Sequence, residues 1–123
     1  MANWHGGDLE KIGTAQELTL RSERTDGTLR DPVTMWVVRT GDDLYVRSVK
    51  GTEGPWYRGT QSHHQGRVEA GGVRQDVAFR EAEPGEYADV DAAYREKYGR
   101  FTDIVENVLT GPARTSTLRL EPR

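Results

Sequence analysis

Between Leu44 and Arg67 four basic residues, Arg47, Lys50, Arg58 and Arg67, stand against one acid, Glu53, so a stretch of local charge +3 lies inside a chain of formal charge −3. Tyr45, Trp56 and Tyr57 are interleaved with these bases, and Gly51, Gly54 and Gly59 permit close backbone approach. Arginine forks grip phosphate or carboxylate in pairs of hydrogen bonds, and aromatic rings cover flat ring faces. The combination suits a conjugated ring carrying an anionic group. The same residues also read as plain structure, with Trp56 packed as core and the bases as a solvated rim. Elsewhere little chemistry is on offer. His5, His63 and His64 are the only imidazoles, and the adjacent pair projects in different directions, so no metal site is expected and both are read as solvated loop residues. With no cysteine, disulfides, thiolate metal sites, iron–sulfur clusters and a Cys nucleophile are excluded. A phosphate loop ending in Lys-Ser/Thr, a dinucleotide-fold glycine triplet, His-Glu-x-x-His and a nucleophile elbow are all missing.

The elements that must position this segment are legible from periodicity. Alternation of period two marks strands at 17–21, 33–39 and 44–47, and again at 66–70, 73–80 and 115–120. Gly41-Asp42-Asp43 is a turn joining the second and third strands as a hairpin, and Gly71-Gly72 joins the fourth and fifth. The stretch from 48 to 65 reads as irregular. A short opening helix is predicted over 8–12. A longer helical region spans Glu86–Leu109, where Tyr87, Val90, Tyr94, Tyr98, Phe101, Val105 and Val108 recur every three or four residues. Gly99 splits or kinks it, with Thr102-Asp103 as a fresh cap. Six strands around one core with helices at one end describe a mainly β, α+β domain: a six-stranded antiparallel barrel with a short N-terminal helix and C-terminal helices.

At 123 residues the chain has the length of one domain, 1–123. Hydrophobic residues make up 34% and charged ones 30%, polar for a globular chain but short of the corner where disorder is expected. No apolar run approaches the roughly 18 residues of a membrane span, and Met1-Ala2-Asn3-Trp4-His5 lacks the basic start and apolar stretch of a signal peptide. A cytoplasmic protein is expected. The mildly acidic balance provides no global field toward nucleic acid or anionic membrane, so neither is an expected partner.

Gly41-Asp42-Asp43-Leu44-Tyr45-Val46-Arg47-Ser48 followed by Gly51, then Gly54-Pro55-Trp56-Tyr57-Arg58, and Gly66-Arg67-Val68-Glu69-Ala70-Gly71-Gly72 resemble the split-barrel flavin-binding superfamily. That superfamily contains pyridoxamine-phosphate oxidases and deazaflavin-dependent nitroreductases, and the similarity points to an uncharacterised bacterial branch of it. Upstream, the run from Leu18 to Val33 follows the nitroreductase-like order of strand, basic glycine turn, Pro-Val and hydrophobic strand, so the resemblance covers roughly 16–81. It implies a six-stranded split barrel binding FMN or a deazaflavin coenzyme beside the third strand and its following loop. By position, Arg47 and Ser48 approach the cofactor, Lys50 and Gly51 line the loop, and Trp56, Tyr57 and Arg58 close it. The loop Lys50–Pro55 is shorter than in the nitroreductase-like proteins and contains an acid.

The resemblance therefore implies a flavin- or deazaflavin-dependent oxidoreductase acting on a small-molecule substrate, in which hydride transfer belongs to the cofactor. The alternatives are a cofactor-free barrel that binds or rearranges a small aromatic or polyketide-like metabolite, with His63, His64 or a tyrosine as acid or base, and a non-enzymatic ligand-binding module. A homodimer is expected, as in similar small barrels, because Trp36 and Tyr45 lie on strand faces that a small barrel cannot all turn inward. Of the tryptophans, Trp36 is expected as core packing in an alternating strand. Trp56 is expected as the partly exposed loop partner of a planar ligand, presented by the stiff Gly54-Pro55 turn.

Overall fold

In the strand Leu18–Ser22 (β1), Leu18, Leu20 and Ser22 are buried while Thr19 and Arg21 are half-buried, the period-two pattern of a sheet with one face on a core. This computed structural model describes residues 4–123; the reading of the opening segment that falls on Met1, Ala2 and Asn3 lies outside the described residues. Helix α1 (Gly6–Thr14) precedes β1, and β2 (Val33–Met35), β3 (Val38–Thr40), β4 (Asp43–Val46), α2 (Pro55–His63), β5 (Gln65–Ala70) and β6 (Val73–Glu81) follow it. The chain continues through α3 (Tyr87–Tyr98), α4 (Thr102–Leu109), α5 (Gly111–Thr115) and β7 (Leu118–Pro122).

The strands form one antiparallel sheet in the order β2-β1-β5-β6-β7-β4-β3. Its two edge strands are joined by only Trp36 and Val37. Laid flat, seven strands would separate those edges by about 29 Å, six spacings of about 4.8 Å. The three Cα–Cα steps from Met35 to Val38 reach about 11 Å. The sheet is forced to curl until its edges approach, and this makes it a half-barrel.

That connection corrects the expected strand count. The single strand predicted over 33–39 is two strands, so the sheet has seven strands rather than six. The break at Val37 has a physical cause in α3. The Val37 amide donates to the Tyr98 hydroxyl (3.3 Å) and the Val37 carbonyl accepts from Lys97 Nζ (2.7 Å), so the backbone groups that would continue a ladder are satisfied by a helix. The hairpins at Gly41 and Gly71-Gly72 form as expected, with positive φ at all three glycines. Gly99 separates α3 from α4, although no side chain caps α4. The last strand begins three residues later than expected, because Gly111–Thr115 is helical. The irregular stretch contains α2, which begins with Pro55 in its first turn, where a missing amide costs nothing.

Two apolar clusters result. One fills the half-barrel with Ile12, Leu18, Leu20, Leu44, Val46, Val68, Val77, Leu118 and Leu120. The other lies between the sheet and α3–α4, where Val38 and Tyr45 meet Val90, Tyr94, Tyr98, Val105 and Val108. Tyr45 is thus covered within its own chain. The aromatic surplus expected on strand faces is taken up by the helices, and Trp36 lies half-buried, stacked on Tyr98 with ring centroids 4.0 Å apart and planes 3° from parallel. No helix among the described residues is long and apolar enough to cross a membrane.

Candidate functional site

A cavity of about 500 Å³ opens between β2, the Trp36 crossover, the end of β4 and the helices. This lies within the roughly 300 to 1,000 Å³ common for small-molecule sites. Val33, Thr34 and Met35 line it from β2, and Trp36 from the crossover. Arg47, Ser48, Val49 and Lys50 come from the end of β4 and beyond, Gly54, Pro55 and Trp56 from the start of α2. Tyr94 of α3, Ile104 and Val108 of α4, and Glu17 complete the wall. The lining is mainly apolar, with two indoles and few polar groups.

Of the residues singled out from sequence, Arg47, Ser48, Lys50 and Trp56 are brought together here, whereas Gly51, Tyr57 and Arg58 lie outside the lining. Arg47 differs from the exposed base expected: its side chain is fully buried. Nε donates to Thr117 Oγ1 (2.8 Å), Nη1 to Asp91 Oδ1 (2.6 Å) and to the Val108 carbonyl (2.8 Å), and Nη2 to the Tyr87 carbonyl (3.3 Å). Asp91 Oδ2 accepts a further bond from Arg114 Nε (3.0 Å). One guanidinium therefore ties β4 to α3, α4 and the start of β7, holding the helices that carry Tyr94, Ile104 and Val108 against the cavity.

The loop after β4 is closed by contacts of its own. The Ser48 amide donates to Ser116 Oγ (2.8 Å), and its carbonyl accepts from the Gly51 amide (2.8 Å). Gly51 has φ +71°, and a Cβ there would come within 2.4 Å of Pro112. A Cβ at Gly54 would come within 2.5 Å of Ser48 Oγ. Close approach and positive φ require glycine at position 51, whereas at Gly54 the Ser48 side chain would have to turn. Lys50 is exposed and makes no ion pair among the described residues. Arg58 is exposed on α2, while Tyr57 is buried in the barrel cluster and roots the helix that presents half-buried Trp56. His63 Nε2 lies 3.3 Å from Glu23 Oε1, and His64 ends α2 at φ 54°, both away from the cavity.

Sequence reasoning missed Tyr94, Trp36 and Val108 as cavity residues, since each reads as ordinary core periodicity, and Ile104, which falls outside that periodicity and is half exposed. Tyr94 stands out in the structure. It is completely buried, and its hydroxyl is the buried side-chain polar atom without a hydrogen-bond partner among the described residues. Burial raises its pKa well above the ordinary tyrosine value, with the Arg47 guanidinium opposing the shift. The Arg47 amide also lies toward the oxygen, but forms no bond of standard length and angle. The phenol is thus held protonated, as a donor. An orphaned donor, two indoles in an apolar wall and a free ammonium at Lys50 fit a planar ring system with carbonyl oxygens and an anionic substituent.

The fold is that of the split-barrel proteins. An F420-H2-dependent reductase superposes with a TM-score of 0.65 at 16% identity, covering 86% of this chain and 94% of the other. A FAD-binding protein from Mesorhizobium loti gives 0.59 at 17%, covering 98% and 91%. The heme storage protein HutZ from Vibrio cholerae gives 0.65 at 12%, covering 98% and 91%. At these identities the likeness concerns the fold. No curated protein matches the sequence. Residues 8–120 match a bacterial family described as "uncharacterized protein conserved in bacteria (DUF2255)", and the chain belongs to that family.

Proposed function

We propose, starting from this family membership and the split-barrel likeness, that the chain is a flavin- or deazaflavin-dependent oxidoreductase acting on a small organic molecule at the cavity beside β4. The observation that carries the reading is the cavity itself, whose mainly apolar wall includes two indoles and Tyr94, a fully buried residue whose hydroxyl has no partner among the described residues. The reductase and the FAD-binding protein among the structural neighbours support it. When bound, the cofactor supplies the hydride or electron transfer, and the chain supplies binding, orientation and exclusion of water. Trp36, Trp56, Met35 and Val33 would provide apolar cover for its ring, Lys50 would pair with phosphate or carboxylate, and exposed Arg58 adds positive charge beyond the lining. Ser48 and Gly51 hold the loop in shape, and Arg47 with Tyr57 positions the helices that form the walls.

Titration of the purified chain with FMN, FAD and F420, followed by tryptophan fluorescence and cofactor absorbance, tests this. At least one is expected to bind with micromolar affinity and quench Trp36 and Trp56. Absence of binding by all three at millimolar concentration overturns it. A second reading, a ligand-binding protein without redox turnover, is favoured by the heme storage neighbour and by the small number of titratable groups in the lining. Tight binding of a cofactor or of hemin, without oxidation of any supplied reduced nicotinamide or F420-H2, would select it. We further propose a homodimer that covers the cavity mouth, where Val49 and Ile104 are 57% and 50% exposed. Light scattering is expected to give twice 13.8 kDa; a mass near 13.8 kDa at micromolar concentration defeats the dimer.

A further inference from the structure

We infer that the Tyr94 hydroxyl is the polar anchor of the cavity, donating a hydrogen bond to an acceptor oxygen, carbonyl or phenolate, on the planar ring of the bound ligand. The inference rests on the reading that this cavity binds a flavin-type ring and specifies how the ring is recognised. A buried phenol without a partner destabilises the chain that contains it, because its desolvation is not offset by any bond. Phenylalanine would fill the same volume without that cost. Tyr94 packs like a core residue: its ring meets Tyr98 at 6.1 Å between centroids and carries the Arg47 guanidinium carbon 5.4 Å from its centroid. Packing accounts for the ring and leaves the hydroxyl idle. The Arg47 guanidinium is committed to Asp91, Thr117 and two carbonyls, and the Arg47 amide lies toward the hydroxyl oxygen, on its accepting side. No acceptor for its proton is present among the described residues, and a group arriving in the cavity, which Tyr94 lines, would supply one. With the Arg47 amide on its accepting side and burial keeping it protonated, the hydroxyl has its proton to offer, and the arriving atom accepts. This distinguishes ligands by a ring oxygen rather than by charge, which Lys50 reads at the mouth.

The test is Tyr94→Phe. Without ligand the variant is expected to melt at the same temperature as the parent or higher, where loss of a satisfied tyrosine hydroxyl would lower it. For whichever of FMN, FAD or F420 the parent binds most tightly, the variant is expected to bind about tenfold more weakly, one charge-free hydrogen bond. The visible absorption band of the bound ring is expected to shift as its oxygen loses the donor. A variant that binds as tightly as the parent, with an unchanged spectrum, overturns the inference and leaves the flavin reading standing. A ligand-free variant that melts clearly lower also overturns it, because the hydroxyl is then bonded inside the empty chain. A parent that binds none of the three cofactors removes the flavin reading, and this inference with it.

Discussion

Arg47 was singled out as an anion-binding base, and its surroundings give it a second task. Its fully buried guanidinium faces the Asp91 carboxylate at 2.6 Å, and each is desolvated by the other's element. Removing one member of a buried pair costs more than the pair contributes, because the survivor keeps its desolvation, here offset only by the bond from the half-exposed Arg114 to the other Asp91 oxygen. Arg47→Met is therefore expected to lose about 3 to 5 kcal/mol in urea denaturation followed by circular dichroism. Adding Asp91→Leu to that variant should recover most of the loss. If Arg47→Met alone is neutral, the network does not hold the helices. Trp36 differs in a similar way from what its strand pattern suggests. Stacked on Tyr98 and lining the cavity, it shares with Trp56 the position from which a bound ring would quench fluorescence.

The loop between β4 and α2 illustrates how one glycine can set an element's path. Gly51 and Gly72 both have positive φ, +71° and +84°, but a Cβ at Gly72 would meet nothing within 4 Å, whereas at Gly51 it would meet Pro112 of α5. Alanine at either position suffers the left-handed strain of roughly 1 to 2 kcal/mol. At Gly51 overpacking adds about 1 to 3 kcal/mol. Gly51→Ala is expected to be less stable than Gly72→Ala by that difference and also to bind cofactor more weakly, since the loop that presents Lys50 and Trp56 must lift off α5. Equal stability of the two variants would show that α5 yields, and that the loop is not pinned there.

Across the whole molecule, buried tyrosines tie folding to pH. Burial first, aided by Glu86 for Tyr45 and by Glu81 for Tyr57, pushes Tyr45, Tyr57 and Tyr98 up to about 12, and Tyr94 is raised too. The unfolded chain releases these protons near 10.0 while the folded chain retains them, so the stability they contribute is complete below pH 10 and is lost as pH rises toward 12. Burial lowers Lys97 from 10.5 to about 8, which works in the opposite sense. Between those values the unfolded chain binds the proton that the folded chain lacks, and stability rises with pH. Urea midpoints are expected to climb gently from pH 8 to 10 and then fall steeply, with tyrosinate absorbance appearing as the fold opens. Ionisation of four tyrosines near pH 10 in a still-folded chain would refute this.

The strands, both hairpins, the opening helix and the helical region divided at Gly99 were legible in the sequence, because each depends on local signals: period-two or period-3.6 burial and glycine at positive φ. The concentration of bases and aromatics between Leu44 and Arg67 was legible for the same reason, since composition is local, and Arg47, Ser48, Lys50 and Trp56 from it line the cavity. Three features depended on residues distant in the chain. Val37 reads as mid-strand until Tyr98 and Lys97, some 60 positions away, take its backbone groups and divide one strand into the two edges of a curled sheet. Arg47 reads as a surface base until Asp91, Val108 and Thr117 converge on it. Tyr94 reads as one more apolar position on a helix, and only the tertiary structure leaves its hydroxyl without a partner beside a cavity. Side-chain type and spacing determine which elements form; which polar groups those elements satisfy, and which they leave for a ligand, is decided when distant segments pack, because hydrogen bonds and desolvation depend on neighbours that sequence proximity does not specify.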